Sequence, residues 1–503
     1  MRKYITFIGL FACAIASAQN INDVLRYSTE NLQGSARFQA MGGAFGSLGG
    51  DLSALNINPA GSAVFNNGIF SISGTNYNRN TDSDYNGTLS NSTNNNFDIN
   101  QVGGAFVFKS TNPDSKWRKL SLALNYDVVQ NFDDRLLTKG SSNEGIDNYF
   151  LDNAEGIRLE DIGVPDNRTI GEAYLDIGAT NDLGFIPQQA FLGFQSGIID
   201  PVEFEDKNTG YFSNANYQTV NQDFRQIVTG YNSKFTVNAA TQYGDYLYFG
   251  ASMNFHTIQY DQFNQYDESY DDVGETRFVA FDNLLETDGT GFSLSLGAIA
   301  KLNDVIRVGA SYQSPTWYRL TDNFSQGIDN NYPLKPDNFN FFDLNYINIF
   351  DYQIKTPGKV TGSISAVFGK SGLLSLDYGY QDMSNAELRP TSNSDFADEN
   401  VFISESLGGV SSIRVGGEYR IKRVSLRAGY RYEQSPYESG NIVGDLNGIS
   451  GGVGYNFGRS RLDLAVSRTE QDVLQYFFDT GINTPALLNN VNTNVTLGYT
   501  LNF

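Results

Sequence analysis

The sequence predicts an all-β protein, a 14-stranded antiparallel transmembrane β-barrel carrying a small N-terminal plug in its lumen, and three observations lead there. The chain ends in a strand, Val495 to Phe503, with apolar residues at alternate positions and an aromatic last residue. A period of two means that one face meets an apolar medium while the other does not. Left open in water, such a strand would be an aggregation edge; pairing it with the first strand removes the edge. The second observation is composition: 30 Tyr, 36 Phe and 51 Gly against 12 Pro and a single His suit aromatic girdles and a polar interior. The third is that nothing after the N-terminal leader approaches the roughly 20 apolar residues of a membrane-spanning helix, so any membrane structure must be built of strands.

The leader reads as a secretory signal peptide, residues 1–18. Arg2 and Lys3 precede a mostly apolar run, Tyr4 to Ile15, and Ala16-Ser17-Ala18 supplies a small-residue cleavage site before Gln19. The only cysteine, Cys13, falls inside it, so a mature chain starting at Gln19 holds neither a disulfide nor a cysteine-bound metal. A net charge of −22 argues against nucleic acid, which attracts basic surfaces. The acids are scattered without calcium-loop spacing, and no cofactor or metal is expected.

Fourteen alternating segments follow. They are Gly68 to Tyr77, Phe97 to Lys109, Lys119 to Gln130, Ile227 to Tyr243, Tyr246 to Asp261, Gly289 to Lys301, Val305 to Trp317, Pro357 to Phe368, Leu373 to Gln381, Val410 to Ile421, Val424 to Glu433, Gly448 to Phe457, Arg461 to Glu470 and Asn492 to Phe503. In the third, Leu120, Leu122, Leu124, Tyr126 and Val128 share one face. Connections alternate between short and long, the pattern of a barrel with short periplasmic turns and long outer loops. Residues 68–503 are therefore expected to form the barrel, with a long extracellular loop at 132–226 and both mature termini in the periplasm of a Gram-negative cell.

Residues 19–67 do not alternate and are too few for a core of their own. They are rich in glycine and small residues, and the cluster Leu52, Ala54, Leu55 and Ile57 favours packing over solvation. A plug or hatch inside the lumen is the expectation.

Several segments, in order, resemble the FadL family of outer-membrane transporters of hydrophobic compounds. Gly34-Ser35-Ala36-Arg37, Met41-Gly42-Gly43-Ala44 and Asn58-Pro59-Ala60-Gly61 look like its N-terminal hatch, and Asn-Pro-Ala is the signature element. Gly289 to Ala298 with Arg307 to Pro315 resembles its central hairpin, Tyr352 to Lys359 the stretch into the next strand, and Arg427 to Tyr437 a late strand. The resemblance implies passive, non-enzymatic uptake: capture of an apolar ligand such as a long-chain fatty acid at the outer surface, a shift of the hatch, and sideways exit into outer-membrane lipid at a kink in the third strand. Lys119 to Gln130 contains neither Gly nor Pro, so the kink is implied by the resemblance alone. An alternative within the family is a barrel serving as a docking subunit for other outer-membrane proteins in a secretion or assembly complex.

Candidate ligand residues follow. Leu183, Phe185, Ile186, Phe191, Leu192 and Phe194 cluster in an otherwise acidic, Asn-rich loop, and such a cluster needs a partner; it packs a cap or lines an entrance groove. A fatty-acid carboxylate wants a cation beside apolar walls, which Arg26 and Arg37 of the hatch could supply. His256 should face the lumen with Ser252 and Asn254, opposite Phe249, Met253 and Phe255. Ser252 lies about 13 Å of strand rise from His256, too far for a hydrolytic triad, so no catalytic residue is expected.

Overall fold

The computed structural model describes residues 20–180, 184–271, 276–331, 341–342 and 344–503; the signal-peptide reading and Leu183 lie outside the described residues. Fourteen antiparallel strands close into a barrel. They are β1 (Ile69–Tyr85), β2 (Thr88–Lys109), β3 (Trp117–Asn131), β4 (Val220–Tyr243), β5 (Leu247–Tyr270), β6 (Phe278–Lys301), β7 in two pieces (Ile306–Gln313 and Trp317–Asn330) and β8 in two pieces (Ile347–Lys355 and Lys359–Phe368). The set continues with β9 (Gly372–Asp382, with a short extension Glu387–Arg389), β10 (Gly409–Ile421), β11 (Val424–Glu433), β12 (Leu446–Asn456), β13 (Ser460–Gln475) and β14 (Ala486–Asn502). Closure is between β1 and β14, registered from Ile69 opposite Asn502 to Asp84 opposite Leu487. Phe503 ends the ladder, its N–H bonded to the Gly68 carbonyl at 2.9 Å and its ring edge-on to Phe106.

Alternation decides what each face meets. Leu120, Leu122 and Leu124 of β3, Phe249, Met253 and Phe255 of β5, and Leu462, Leu464 and Val466 of β13 point outward and are exposed, the apolar band that a bilayer covers. Their neighbours Ser121, Asn125, Ser252, Asn254 and Asp463 point inward and are buried. No helix among the described residues is long and apolar enough to cross a membrane.

All 14 expected segments lie on the barrel strands, but several strands run well past the predicted ends. β1 and β2 continue to a two-residue turn at Asn86-Gly87, both at positive φ, as a tight hairpin requires. β4, β5 and β6 are each 24 residues long. Beyond the apolar band the ladder is held by backbone hydrogen bonds and needs no oily face, so hydropathy stops marking the strand before pairing stops. The reverse occurs in β7 and β8, which break at Ser314-Pro315-Thr316 and Thr356-Pro357-Gly358, because proline has no N–H for the ladder.

Within the loop expected at 132–226, Asp134–Ser142 extends β3 and pairs with β4. The remainder builds a cap from α3 (Ile146–Ala154), α4 (Ile170–Ala179) and α5 (Phe185–Gln195) and a small hairpin, Ile199–Pro201 with Tyr211–Ser213. Its core, including Ile146, Phe150, Ile162 and Tyr174, packs on Tyr85, Tyr266, Phe281 and Leu488 of the strand ends. Glu268 of β5 accepts the Ile146 N–H at 3.0 Å, capping α3, whose own N-cap residue has no side chain.

Candidate functional site

Residues 20–67 fill the lumen and touch most of the wall. They form α1 (Ile21–Ser28), α2 (Ala36–Ala40) and two 3-10 turns, Leu52–Asn56 and Pro59–Val64. Asn58 does several jobs at once. Its Oδ1 caps the second turn by accepting from Ala60 N at 3.0 Å, and its Nδ2 donates to the carbonyls of Gly46 at 2.7 Å and Ala298 at 3.0 Å. Pro59 stands at the first position of that turn, where a missing N–H is harmless, and its carbonyl accepts from Asn238 of β4 at 3.0 Å. The approach is so close that a Cβ on Gly297 would lie 2.0 Å from Asn58 Oδ1. Likewise one on Gly429 would lie 2.3 Å from Gly42 N. Wall glycines are thus the counterpart of the hatch motif.

Arg37 is buried in an ionic chain. Its Nε donates to Glu418 Oε2 at 2.9 Å; Arg427 donates to the same oxygen at 2.6 Å and to Asp463 Oδ1 at 2.8 Å. Arg26 pairs with Asp23 and lies over the Tyr260 ring, 4.1 Å from its centroid. Both proposed carboxylate partners are therefore engaged with groups of their own chain. Of the loop cluster, Phe191 and Leu192 are fully buried in the cap core, while Phe185, Ile186 and Phe194 are half-buried; the Phe185 ring sits 5.9 Å from that of Phe324 on β7. His256 faces the lumen as expected, its Nδ1 3.2 Å from Tyr318 Oη and 3.4 Å from Asn232 Oδ1.

The third strand carries the main irregularity of the wall. Pairing of β2 with β3 ends at Gln101 and Asp127, and the register of β3 against β4 slips between Val128 and Gln130. Val128, on the outward parity of Leu120 to Leu124, is only 1% exposed, so the strand has turned inward there. Beyond this point β2 pairs with β1 alone. Residues 29–34 stand in: Asn31 N donates to Val129 O at 3.3 Å, Gln130 Nε2 to the Thr29 side-chain Oγ1 at 3.0 Å, and Asn100 Nδ2 of β2 to Gly34 O at 2.8 Å.

Beside this break lies a group of cations that sequence reasoning passed over: the buried Lys234 on β4, Arg414 on β10 and Arg431 on β11, and the half-buried Lys359 on β8. Glu30 of the hatch sits among them. Its carboxylate is 3.5 Å from Lys359 Nζ, and its carbonyl accepts from Arg431 Nη2 at 2.9 Å. Burial alone would raise the Glu30 carboxyl, but Lys359, Lys234 and Arg414 outweigh it and hold the group down at about 2. Two small cavities flank Glu30. One, of about 30 Å³, is lined by Leu32, Phe38, Ile57, Val128, Lys234 and Arg414 among others; the second, of about 20 Å³, reaches His256 and Lys359. Each has room for about one water. The signal available in the sequence was parity: Lys234 shares its face with Asn232 and Thr236, and Arg414 with Ser412 and Glu418.

Comparison with known proteins places this architecture. Residues 214–476 match the family profile described as outer membrane protein transport protein (OMPP1/FadL/TodX). Among solved structures, a Pseudomonas aeruginosa FadL homologue is similar at 12% identity, covering 95% of this chain and 100% of its own, with a TM-score of 0.54. The P. putida toluene transporter TodX is similar at 14% identity, covering 94% and 99%, with a TM-score of 0.50. At these identities the likeness is one of fold. No curated protein matches the chain significantly.

Proposed function

Because the chain belongs to the outer membrane protein transport family (OMPP1/FadL/TodX), we propose that it is a passive channel for hydrophobic compounds, with long-chain fatty acids as the ligand class. In this reading residues 1–18 are removed on export, the cap and long loops face outward, and the short turns and both mature termini face the periplasm. Ligand is caught at the cap, where the half-buried Phe185, Ile186 and Phe194 line the entrance. Residues 19–67 act as the hatch, and ligand leaves sideways between β2 and β3. Such an exit suits an oily solute, since transfer from pocket to bilayer keeps its apolar surface out of water, at about 25 cal/mol per Å².

The observation that carries this reading is the break in β3, where wall pairing stops and residues 29–34 supply hydrogen bonds in its place. A covalent lock tests it. With Cys13 gone, the mature chain has no cysteine, so a disulfide between Asn31→Cys and Val129→Cys would be unique. Uptake of labelled oleate by cells relying on this protein should stop when the bond forms and return on reduction. Unchanged uptake with the lock complete would overturn lateral exit.

The small size of the cavities beside Glu30 and the exposed Val202, Phe204 and Phe212 of the cap favour a second reading, a docking subunit of an outer-membrane assembly. Normal oleate uptake by a deletion strain, with the protein purifying in stoichiometric complex with another outer-membrane protein, would select it.

A further inference from the structure

We propose that Glu30 is a built-in competitor of the ligand: its carboxylate occupies an anion site formed by Lys234, Lys359, Arg414 and Arg431, and an incoming carboxylate that takes the site frees residues 29–34 from the break in β3. The inference rests on the uptake reading above and adds the step that couples binding to opening.

The site is built for an anion that the fold supplies only loosely. Lys234, Arg414 and Arg431 are 4, 7 and 3% exposed, yet Nε of both arginines has no hydrogen-bond partner. Buried guanidinium N–H groups are normally satisfied. The wall's own acids are engaged through one oxygen each, Asp377 accepting from Gly46 N at 2.9 Å, Asp127 from Asn125 Nδ2 and Glu433 from Arg431 at 2.7 Å, while Asp377 Oδ1 and Asp127 Oδ1 stay without a hydrogen-bond partner and none of the three bonds the orphan Nε groups. What remains for Lys359 is Glu30 at 3.5 Å, longer than a charge-assisted hydrogen bond of about 2.8 Å. Glu30 also keeps 26% of its side chain open, and both cavities beside it lie inside the barrel. A free carboxylate carries no backbone tether, so both its oxygens can accept from the orphan N–H groups.

The neighbouring residues say what the rest of the ligand is. Leu32, Phe38, Ile57, Val128 and Val129 line the same cavity as Lys234 and Arg414, so an anionic head group there would place its alkyl chain against apolar walls at the break. Glu30 also sits between Thr29 and Asn31, the two residues that bond Gln130 and Val129. Displacing its side chain therefore loosens the segment that seals the gap. A ligand favours the released state only by its difference in affinity for the two states, and here the difference is one negative charge.

The test uses the full mature protein in nanodiscs, with oleate and uncharged oleyl alcohol as probes. Amide exchange is read at residues 29–34. Oleate should speed exchange there and oleyl alcohol should not. Glu30→Gln should speed exchange without ligand and tighten oleate binding by about tenfold, as expected when a competitor that holds the site about nine-tenths of the time is removed. Arg414→Gln, with folding checked by heat-shifted electrophoretic mobility, should weaken oleate about tenfold and leave oleyl alcohol unchanged. If both probes bind but Glu30→Gln alters neither oleate affinity nor exchange, the competitor role is overturned and the channel reading stands. Binding of neither probe by the unaltered protein would overturn both.

Discussion

Residues 35–67 and residues 20–34 of the hatch press against one wall through different chemistry. The first set is tied to the wall by short hydrogen bonds, Arg37 to Glu418 and Asn58 to Ala298, by Asn58 to its own Gly46, and by backbone packed onto Gly297 and Gly429. The second has shorter bonds at its ends, Asn100 to Gly34 O at 2.8 Å and the Ile21 N–H to Glu399 of α6 (Ser394–Ser406), but at the break itself it rests on a 3.5 Å ion pair, an N–H reaching 3.3 Å to an inturned strand and the Gln130 to Thr29 bond at 3.0 Å. One half is an anchor and the other is a latch. Under the proposed uptake route both are needed, because the latch has to open while the anchor stays in the lumen.

The contrast can be broken at the anchor first. Glu418→Ala leaves Arg37 and Arg427 buried without their shared partner, a loss of about 3–5 kcal/mol; a marked fall in the barrel's melting temperature and loss of amide protection across residues 35–67 are expected. Asn58→Ala removes the cap, the bond to Gly46 and the wall bond to Ala298, about 2–3 kcal/mol, and should raise exchange over 46–64 while leaving 29–34 as it was. Gly429→Ala forces a methyl into Gly42 N, about 1–3 kcal/mol of overpacking, read in the same way. The smallest effect is at the latch and is a pH effect. Because the Glu30 carboxyl is held near 2 when folded against 4.5 ordinarily, its contribution is complete above about 4.5 and is lost as pH falls towards 2. Protection of the amides of 29–34, corrected for the intrinsic pH dependence of exchange, should thus fall as pH drops from about 4.5 towards 2, and Glu30→Gln should abolish that fall.

Reading the sequence recovered the barrel because period-two alternation is imposed by the bilayer on every strand, and it set residues 19–67 apart because they lack that alternation. It truncated β1, β2, β5 and β6 because their polar outer reaches carry no such imprint, and it ran β7 across Pro315. The break at Val128 left no residue-type signal: Val128-Val129-Gln130 reads as ordinary strand, and its inward turn follows from tertiary contacts with Thr29 and Asn31. Arg26 and Arg37 drew attention as hatch cations, whereas Lys234 and Arg414 were hidden as single basic residues on inward parity. Loop residues Phe191 and Leu192 were visible as apolar, but whether such residues pack inward or line a groove depends on partners far along the chain, here Tyr174 and Phe150.

Gln39 of α2 accepts from Thr496 of β14 at 2.9 Å, and Thr496 bonds Thr75 of β1 at 2.8 Å. The hatch therefore stitches the very pair of strands that completes the cylinder, and it enters β1 directly. Closing the cylinder and seating residues 20–67 thus share one set of hydrogen bonds, so the seam and the segment inside it stabilise each other.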